Sequence, residues 1–300
     1  MRVFVTGATG WVGAAVVEEL IGAGHEVAGL VRTPDKARAL AAAGASPVEG
    51  ALGDLDILKD AASRADAVVH TAFQFDFARM AENGAQEEAA IAAMGEALEG
   101  TDRPLIVTSG VAALSPEVPG AFLDETTPPR AVSAAMPRDP EGAAARLRAR
   151  GVRAAVVRLP PTVHGHGDHA FVPGLIATAR RTGVSAHVEA GANRWPAVHR
   201  RDAARAYRLA VERGAPLPTL HAIAEEAVPL IDIARVIAAR LGVPLVSLGG
   251  AEAEAHFGPM VRFIAADCPA RADRTRQALG WTPREPGLLA DLDHPAYFAA

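Results

Sequence analysis

The sequence predicts an α/β protein built on a doubly wound parallel sheet with a smaller second lobe. Three observations carry that expectation. Six Val-rich apolar runs alternate with five Ala-rich helical patterns over the first 160 residues, a glycine triplet follows the first run, and the alternation breaks up after Pro160. The strand-like runs lie at 2–6, 26–32, 46–52, 66–73, 103–109 and 152–159, with few polar breaks, as suits strands covered on both faces. Helical patterns fill 11–23, 34–43, 55–64, 79–99 and 139–150. Beyond them Pro160, Pro161, Gly165, Gly167, Pro173 and Gly174 interrupt the pattern, and helices near 200–213, 230–241 and 272–279 no longer alternate regularly with strands. The expected division is a sheet domain over 1–160, also receiving the segment 197–224, and a smaller lobe over most of 161–300.

Composition narrows the function. Half of the 300 residues are hydrophobic, 22% are charged and the net charge is −5, enough for a sizeable core in one bilobed domain or two domains. Arg outnumbers Lys by 28 to 2 without forming a basic block, so neither nucleic acid nor an anionic membrane is an expected partner. The lone Cys268 allows no internal disulfide, the chain enters a strand at once, and no apolar stretch is long enough for a bilayer. A cytoplasmic location is the expectation.

The stretch "VTGATGWVG", residues 5–13, follows the first strand and opens the first helix. Gly7 permits a tight turn, Gly10 lets a phosphate approach the backbone, and Gly13 lets the helix pack closely on the sheet. With Thr9, Trp11 and Val12 between and beside them, free N–H groups at the helix start would face a pyrophosphate. A bare tight turn would also use three glycines, but placement between strand and helix favours a dinucleotide. At the end of the second strand, "GLVRTPDKA" offers no acid for a ribose 2′-hydroxyl. It offers Arg32, Thr33 and Lys36, suited to a 2′-phosphate, so NADP(H) is expected over NAD. The alternative is that Arg32 is a solvated strand-end residue.

Further along stand "GDL" at 53–55, "DAVVHTAF" at 66–73, "LIVTSG" at 105–110, "VVRLPPTVHG" at 156–165, "WPAVHRRDAARAY" at 195–207 and "LGWTP" at 279–283. With the glycine turn, these pieces resemble, in order and over nearly the whole chain, the extended and atypical short-chain dehydrogenases/reductases. That family includes epimerases, dehydratases and ketone reductases. The resemblance implies a Rossmann fold in which Asp54 and Leu55 border the adenine and Thr71, Ala72 and Phe73 line the cofactor beyond the fourth strand. It places Leu159 and Pro160 near the nicotinamide, with Thr108 also on the cofactor side. Leu55 and Phe73 would equally serve as core, and Asp54 as a helix N-cap.

The family's chemistry normally rests on a Tyr-x-x-x-Lys pair. Here the tyrosines are Tyr207 and Tyr297, the lysines Lys36 and Lys59, and no tyrosine has a lysine four positions on. The pair's places fall near Pro137 and Glu141, and the family's usual serine position is Gly110, one step after Ser109. Two readings stay open. One is an NADPH-dependent reductase of a carbonyl or related C=X small molecule, with His164 and Ser109 as the residues that handle the proton. The other is a non-catalytic NADP-binding sensor. A nucleotide-sugar epimerase or dehydratase is a lesser reading for want of the pair. So is a metal-dependent hydrolase built on "VHGHGDH", residues 163–169, and no resident metal is expected there. His199 and Asp202 are read as fixing the join between the lobes. Phe73, Phe75, Phe77, Phe122 and Trp195 are candidates for a small apolar pocket between the sheet domain and a substrate-binding lobe. The oligomeric state is left open, a homodimer included.

Overall fold

Apolar runs too short for helices and rich in Val become the strands of one sheet, and the Ala-rich patterns between them become its covering helices. The computed structural model describes residues 1–114, 118, 120–133 and 136–299, with Phe77 described by its backbone. In chain order the first half runs β1 (Arg2–Thr6), α1 (Trp11–Gly22), β2 (Glu26–Val31), α2 (Pro34–Ala42), β3 (Ser46–Glu49) and α3 (Leu55–Ser63). It continues with β4 (Ala67–His70), α4 (Met80–Glu96), β5 (Leu105–Gly110), α5 (Pro140–Ala149) and β6 (Ala154–Leu159). These are the eleven elements read from the sequence, with two strands ending three residues earlier than expected. β4 stops at His70, so Thr71 to Phe73 leave the sheet as a loop, and β3 is an exposed edge strand that ends before Gly50.

The second half adds β7 (Thr162–His164), α6 (Phe171–Thr182), β8 (Ser185–Val188), β9 (Arg194–His199), α7 (Arg200–Glu212) and β10 (Thr219–His221). Then follow β11 (Glu225–Pro229), α8 (Leu230–Leu241), β12 (Leu245–Leu248), α9 (Gly250–Phe257), α10 (Val261–Ile264), α11 (Asp273–Leu279) and α12 (Leu288–Leu292).

The main sheet has seven strands in the order β10-β6-β5-β4-β1-β2-β3, every pair parallel. This is a doubly wound Rossmann-type sheet. Its last strand, β10, returns from the second half, and α7 lies with α1 on one face. There Val3, Val5, Val69, Ile106 and Val157 pack with Val16, Leu20 and Tyr207. On the other face Phe4, Val68, Leu105 and Val107 pack with Leu58, Ile91 and Leu147 of α3, α4 and α5. The chain order reverses between β1 and β4, which opens a crevice at their C-terminal ends. Two small sheets, β11-β9-β7 and β12-β8, build the remaining layer.

Candidate functional site

The crevice begins with the turn after β1. Gly7 has φ +69°, and a Cβ there would stand 2.8 Å from both the Ala72 nitrogen and Thr71 Oγ1. A Cβ on Gly13 would stand 2.1 Å from the Gly7 carbonyl oxygen, closer than any packing permits. Gly10 differs: its Cβ would meet only that oxygen, at 3.2 Å, and otherwise project into open space at the helix end. The turn is closed by the Gly10 N–H donating to the Gly7 carbonyl at 2.8 Å, while the Thr71 hydroxyl donates to the Thr6 carbonyl at 2.8 Å. The Ala14 N–H bonds back to Gly10 at 2.9 Å, so the N–H groups of Trp11, Val12 and Gly13 remain at the open positive end of α1. Bare backbone at Gly10 together with those donors fits a diphosphate. Thr9 is half-buried beside them, and the Trp11 indole N–H donates to the Val163 carbonyl at 2.7 Å, with the Arg200 guanidinium 4.3 Å over its ring. The glycine turn is thereby tied to β7, the short strand that follows β6.

At the end of β2, Arg32, Thr33 and Lys36 are all exposed on one corner. Thr33 caps α2 by accepting the Lys36 N–H at 3.4 Å, and the nearby acid, Asp35, pairs with Arg38. Asp54 stands at the N-cap position of α3, but its carboxylate accepts the Ala51 N–H at 2.8 Å and makes no bond to the helix's own first turn. Leu55 is a half-buried contact of the core on that face.

The ends of β4 and β5 form the far side. Thr108 donates its hydroxyl to the His70 carbonyl at 2.7 Å and accepts the Tyr207 hydroxyl at 2.7 Å. Burial pushes the Tyr207 phenol well above its ordinary pKa, so it stays a neutral donor. Above them lies Arg138, which stands in no motif of the sequence. Its Nε and Nη2 grip Glu87 at 2.7 and 2.6 Å, Nη2 also donates to the Thr108 carbonyl at 3.0 Å, and its guanidinium lies 4.2 Å over the Phe73 ring. Burial works to raise the Glu87 carboxyl, but the Arg138 guanidinium and the nearby His70 ring, 3.8 Å away, outweigh it and hold its pKa low. Glu87 and Arg138 are 51 positions apart, on α4 and just ahead of α5, a separation that no periodicity reveals. Leu159 is half-buried and Pro160 buried at the end of β6.

The two residues selected for proton handling lie elsewhere in hydrogen-bond networks. Ser109 is 5% exposed and donates to Glu141 at 2.9 Å, because strand alternation turns it toward α5 while Thr108 faces α7. Glu141 is gripped in turn by Arg158 at 2.9 and 2.7 Å. Arg158 Nη1 reaches His221 Nε2 at 3.3 Å, and His221 Nδ1 reaches the Arg271 carbonyl at 2.7 Å. His164 is 1% exposed: its Nδ1 lies 2.8 Å from Asp291, which also accepts the Tyr297 hydroxyl at 2.6 Å.

In the rest of "HGHGDH" Gly165 and Gly167 both take positive φ, and His166 Nε2 reaches the same Asp291 carboxylate at 3.4 Å while Asp168 and His169 turn elsewhere. His166 stacks on His294 at 4.1 Å, Asp168 accepts the Ala170 N–H at 2.8 Å, and His169 lies edge-on to Trp11. Among the described residues no group of three or more His, Cys, Asp or Glu is arranged to hold a metal. The aromatic candidates scatter likewise. Phe73 and Phe75 meet edge to face at 5.2 Å, Phe122 lies under Arg271 at 4.2 Å, Trp195 is fully buried against Phe171, and the Phe77 side chain lies outside the described residues. His199 caps α7 through the Arg201 N–H at 3.3 Å, and Asp202 accepts the N–H groups of Arg284 and Glu285 at 2.8 and 2.9 Å. No helix among the described residues is long and apolar enough to cross a membrane.

Comparison with known proteins agrees with this geometry. Residues 7–185 match the model of a family described as NAD(P)H-binding. An uncharacterized protein of Schizosaccharomyces pombe is 46% identical over 300 residues, covering 99% of this chain and 100% of that one. A Stigmatella aurantiaca ketoreductase, named for 4-hydroxy-2-methyl-3-oxo-4-farnesyl-3,4-dihydroquinoline-1-oxide, is 30% identical over 71% of this chain and 65% of its own. Among solved structures, UDP-glucose 4-epimerase of Thermotoga maritima with UDP-glucose superposes with a TM-score of 0.76 over 99% of this chain and 98% of that one. At 20% identity that match speaks for the fold alone.

Proposed function

The chain belongs to the NAD(P)H-binding family of short-chain dehydrogenase/reductase fold, and from that premise we propose that it is an NADPH-dependent reductase of a carbonyl or related C=X small molecule. The observation that carries the reading is the bare, donor-rich turn at Gly7, Gly10 and Gly13, set at the crevice between β1 and β4 with a corner of Arg32, Thr33 and Lys36 beside it. The N–H groups of Trp11, Val12 and Gly13 hold the diphosphate, with Thr9 beside them. Arg32, Thr33 and Lys36 hold the 2′-phosphate, and Asp54 and Leu55 border the adenine. Thr71, Ala72, Phe73, Thr108, Leu159 and Pro160 line the nicotinamide half. NADPH, when bound, supplies the hydride. The ketoreductase relative supports a reductive reaction on a ketone.

A second reading, a non-catalytic NADP-binding protein, is favoured by one observation. Glu141, near which the family resemblance places the lysine, is locked to Arg158 and Ser109. Fluorescence titration with NADPH and NADH, followed by turnover of a panel of ketones, aldehydes and imines, separates the two. Tight NADPH binding with consumption on any of these is the expected result. Tight binding with none consumed selects the second reading, and failure to bind either cofactor defeats both.

A further inference from the structure

The geometry points to Arg138 as the residue that receives the substrate's carbonyl oxygen, a role that rests on the reductase reading. A guanidinium has five N–H donors. Here the Nε hydrogen goes to Glu87 Oε2, and Nη2 serves Glu87 Oε1 and the Thr108 carbonyl. The two hydrogens on Nη1 have no acceptor among the described residues. The side chain is nevertheless held: Glu87, 2% exposed, clamps one edge and the Phe73 ring supports one face, leaving the group 17% exposed. Its neighbours, Thr108 at the end of β5 and Phe73 beyond β4, are those assigned above to the nicotinamide half. An open pair of charged donors fixed at that spot is an oxyanion holder in waiting.

A guanidinium keeps its proton across the working range of proteins, so Arg138 does not act as the acid. As the carbonyl carbon takes the hydride, a C–H bond forms and the π pair of C=O withdraws onto oxygen. Arg138 Nη1 holds that charge, water supplies the proton that completes the alcohol, and NADPH is left as NADP⁺. Glu87 is a positioning residue in this scheme: it occupies Nε and Nη2 and so leaves Nη1, not Nε, as the unpaired donor.

The test uses Arg138→Lys, Arg138→Met and the double variant Glu87→Gln/Arg138→Met, which removes the buried charge pair together and so guards against misfolding. Three readouts are taken: NADPH affinity, the single-turnover reduction rate with the best carbonyl from the panel, and the affinity for benzoate in the presence of NADP⁺. Benzoate serves as a charged mimic of the reacting oxygen. The expected result is unchanged NADPH affinity, a rate lowered by about 10²-fold or more in both Met variants, and partial rescue by added guanidinium ion. Benzoate binding should weaken by about 10-fold or more, with Arg138→Lys between wild type and Met. A loss confined to NADPH affinity would assign Arg138 to the cofactor and overturn the proposal. So would full benzoate affinity in the folded Met variants. If no carbonyl is reduced by the wild type, the reductase reading falls, and the benzoate measurement still decides whether Nη1 is an open anion hook.

Discussion

The turn after β1 and the end of β5 lie on the same edge of one sheet, yet they are fixed by different means. In the first, three glycines and a helix end set the shape, with Cβ-free approaches to Gly7 and Thr71 as the deciding contacts. In the second, charged side chains drawn from distant segments hold one another. Ser109, Glu141, Arg158 and His221 form one chain, and Arg138, Glu87 and His70 another. A backbone cradle needs only local spacing, whereas a side-chain network needs the whole fold before its parts meet. The contrast predicts that the β1 turn fails through sterics and the β5 end through uncompensated charge.

The largest expected effect is at the β5 end. Arg158→Met leaves the Glu141 carboxylate buried with only the Ser109 hydroxyl, and breaking a buried pair from one side costs about 3–5 kcal/mol. Adding Glu141→Gln to it should recover most of that loss, because the stranded charge is then gone. Urea unfolding measures both. A single variant as stable as wild type would mean that the network does not set this end of the sheet.

Next comes pH. Burial pushes the His221 imidazole down to about 4, against about 6.5 in the unfolded chain, with the Arg158 charge lowering it and Glu125 opposing. Between those values the unfolded state binds the proton and the folded state does not. The contribution is therefore complete above about pH 6.5 and is lost as pH falls toward 4, by roughly 3 kcal/mol. His221→Asn should flatten the melting temperature over that window relative to wild type, while the turn after β1, which carries no titratable group, contributes nothing there. Parallel pH profiles for the two proteins would remove His221 from the network's energetics.

The glycine turn should break by a different route. Gly13→Ala places a methyl 2.1 Å from the Gly7 carbonyl oxygen, so the α1 start must move. Overpacking of that kind costs about 2 to 3 kcal/mol, and here it should appear as lost NADPH affinity as well as lost stability. Gly10→Ala, whose methyl meets that oxygen at 3.2 Å and then open space, should keep stability and lose affinity alone. If both variants bind NADPH as wild type does, the cradle is not the diphosphate site.

That difference in means also explains what the sequence could tell. Val-rich runs and Ala-rich helices gave the first eleven elements to within a few residues, except where β3 and β4 end early, because their signal is a short period repeated along the chain. The small strands β7 to β12 were not legible, being three to six residues long and lying where Pro and Gly interrupt the pattern. At the site, the positions of Gly7, Gly10 and Gly13 followed from spacing alone. Arg138 and Glu87 did not, since their meeting depends on α4 and the approach to α5 crossing at the end of β5. His164 stood out as a titratable group in a polar loop, but its partner Asp291 is 127 positions away, and that bond turns the ring into the C-terminal knot with Tyr297.

The smallest expected effect concerns the corner beside the cradle, where both means of fixation are weak. Arg32 and Lys36 are exposed and reach solvent, and Thr33 already spends its oxygen on capping α2. A 2′-phosphate meeting Arg32 gains a charge-assisted bond, but its exposure keeps it at the low end for such contacts, about 1.5 kcal/mol or roughly tenfold in affinity. Arg32→Ala should then raise the NADPH dissociation constant about tenfold and leave that for NADH unchanged. The preference should shrink further at high salt, where screening weakens what Lys36 retains. Because Asp35 pairs with Arg38, no carboxylate stands ready to bind a bare ribose in its place, so the variant should lose discrimination without gaining NADH. Equal dissociation constants for NADPH and NADH in the wild type would show that this corner reads no phosphate.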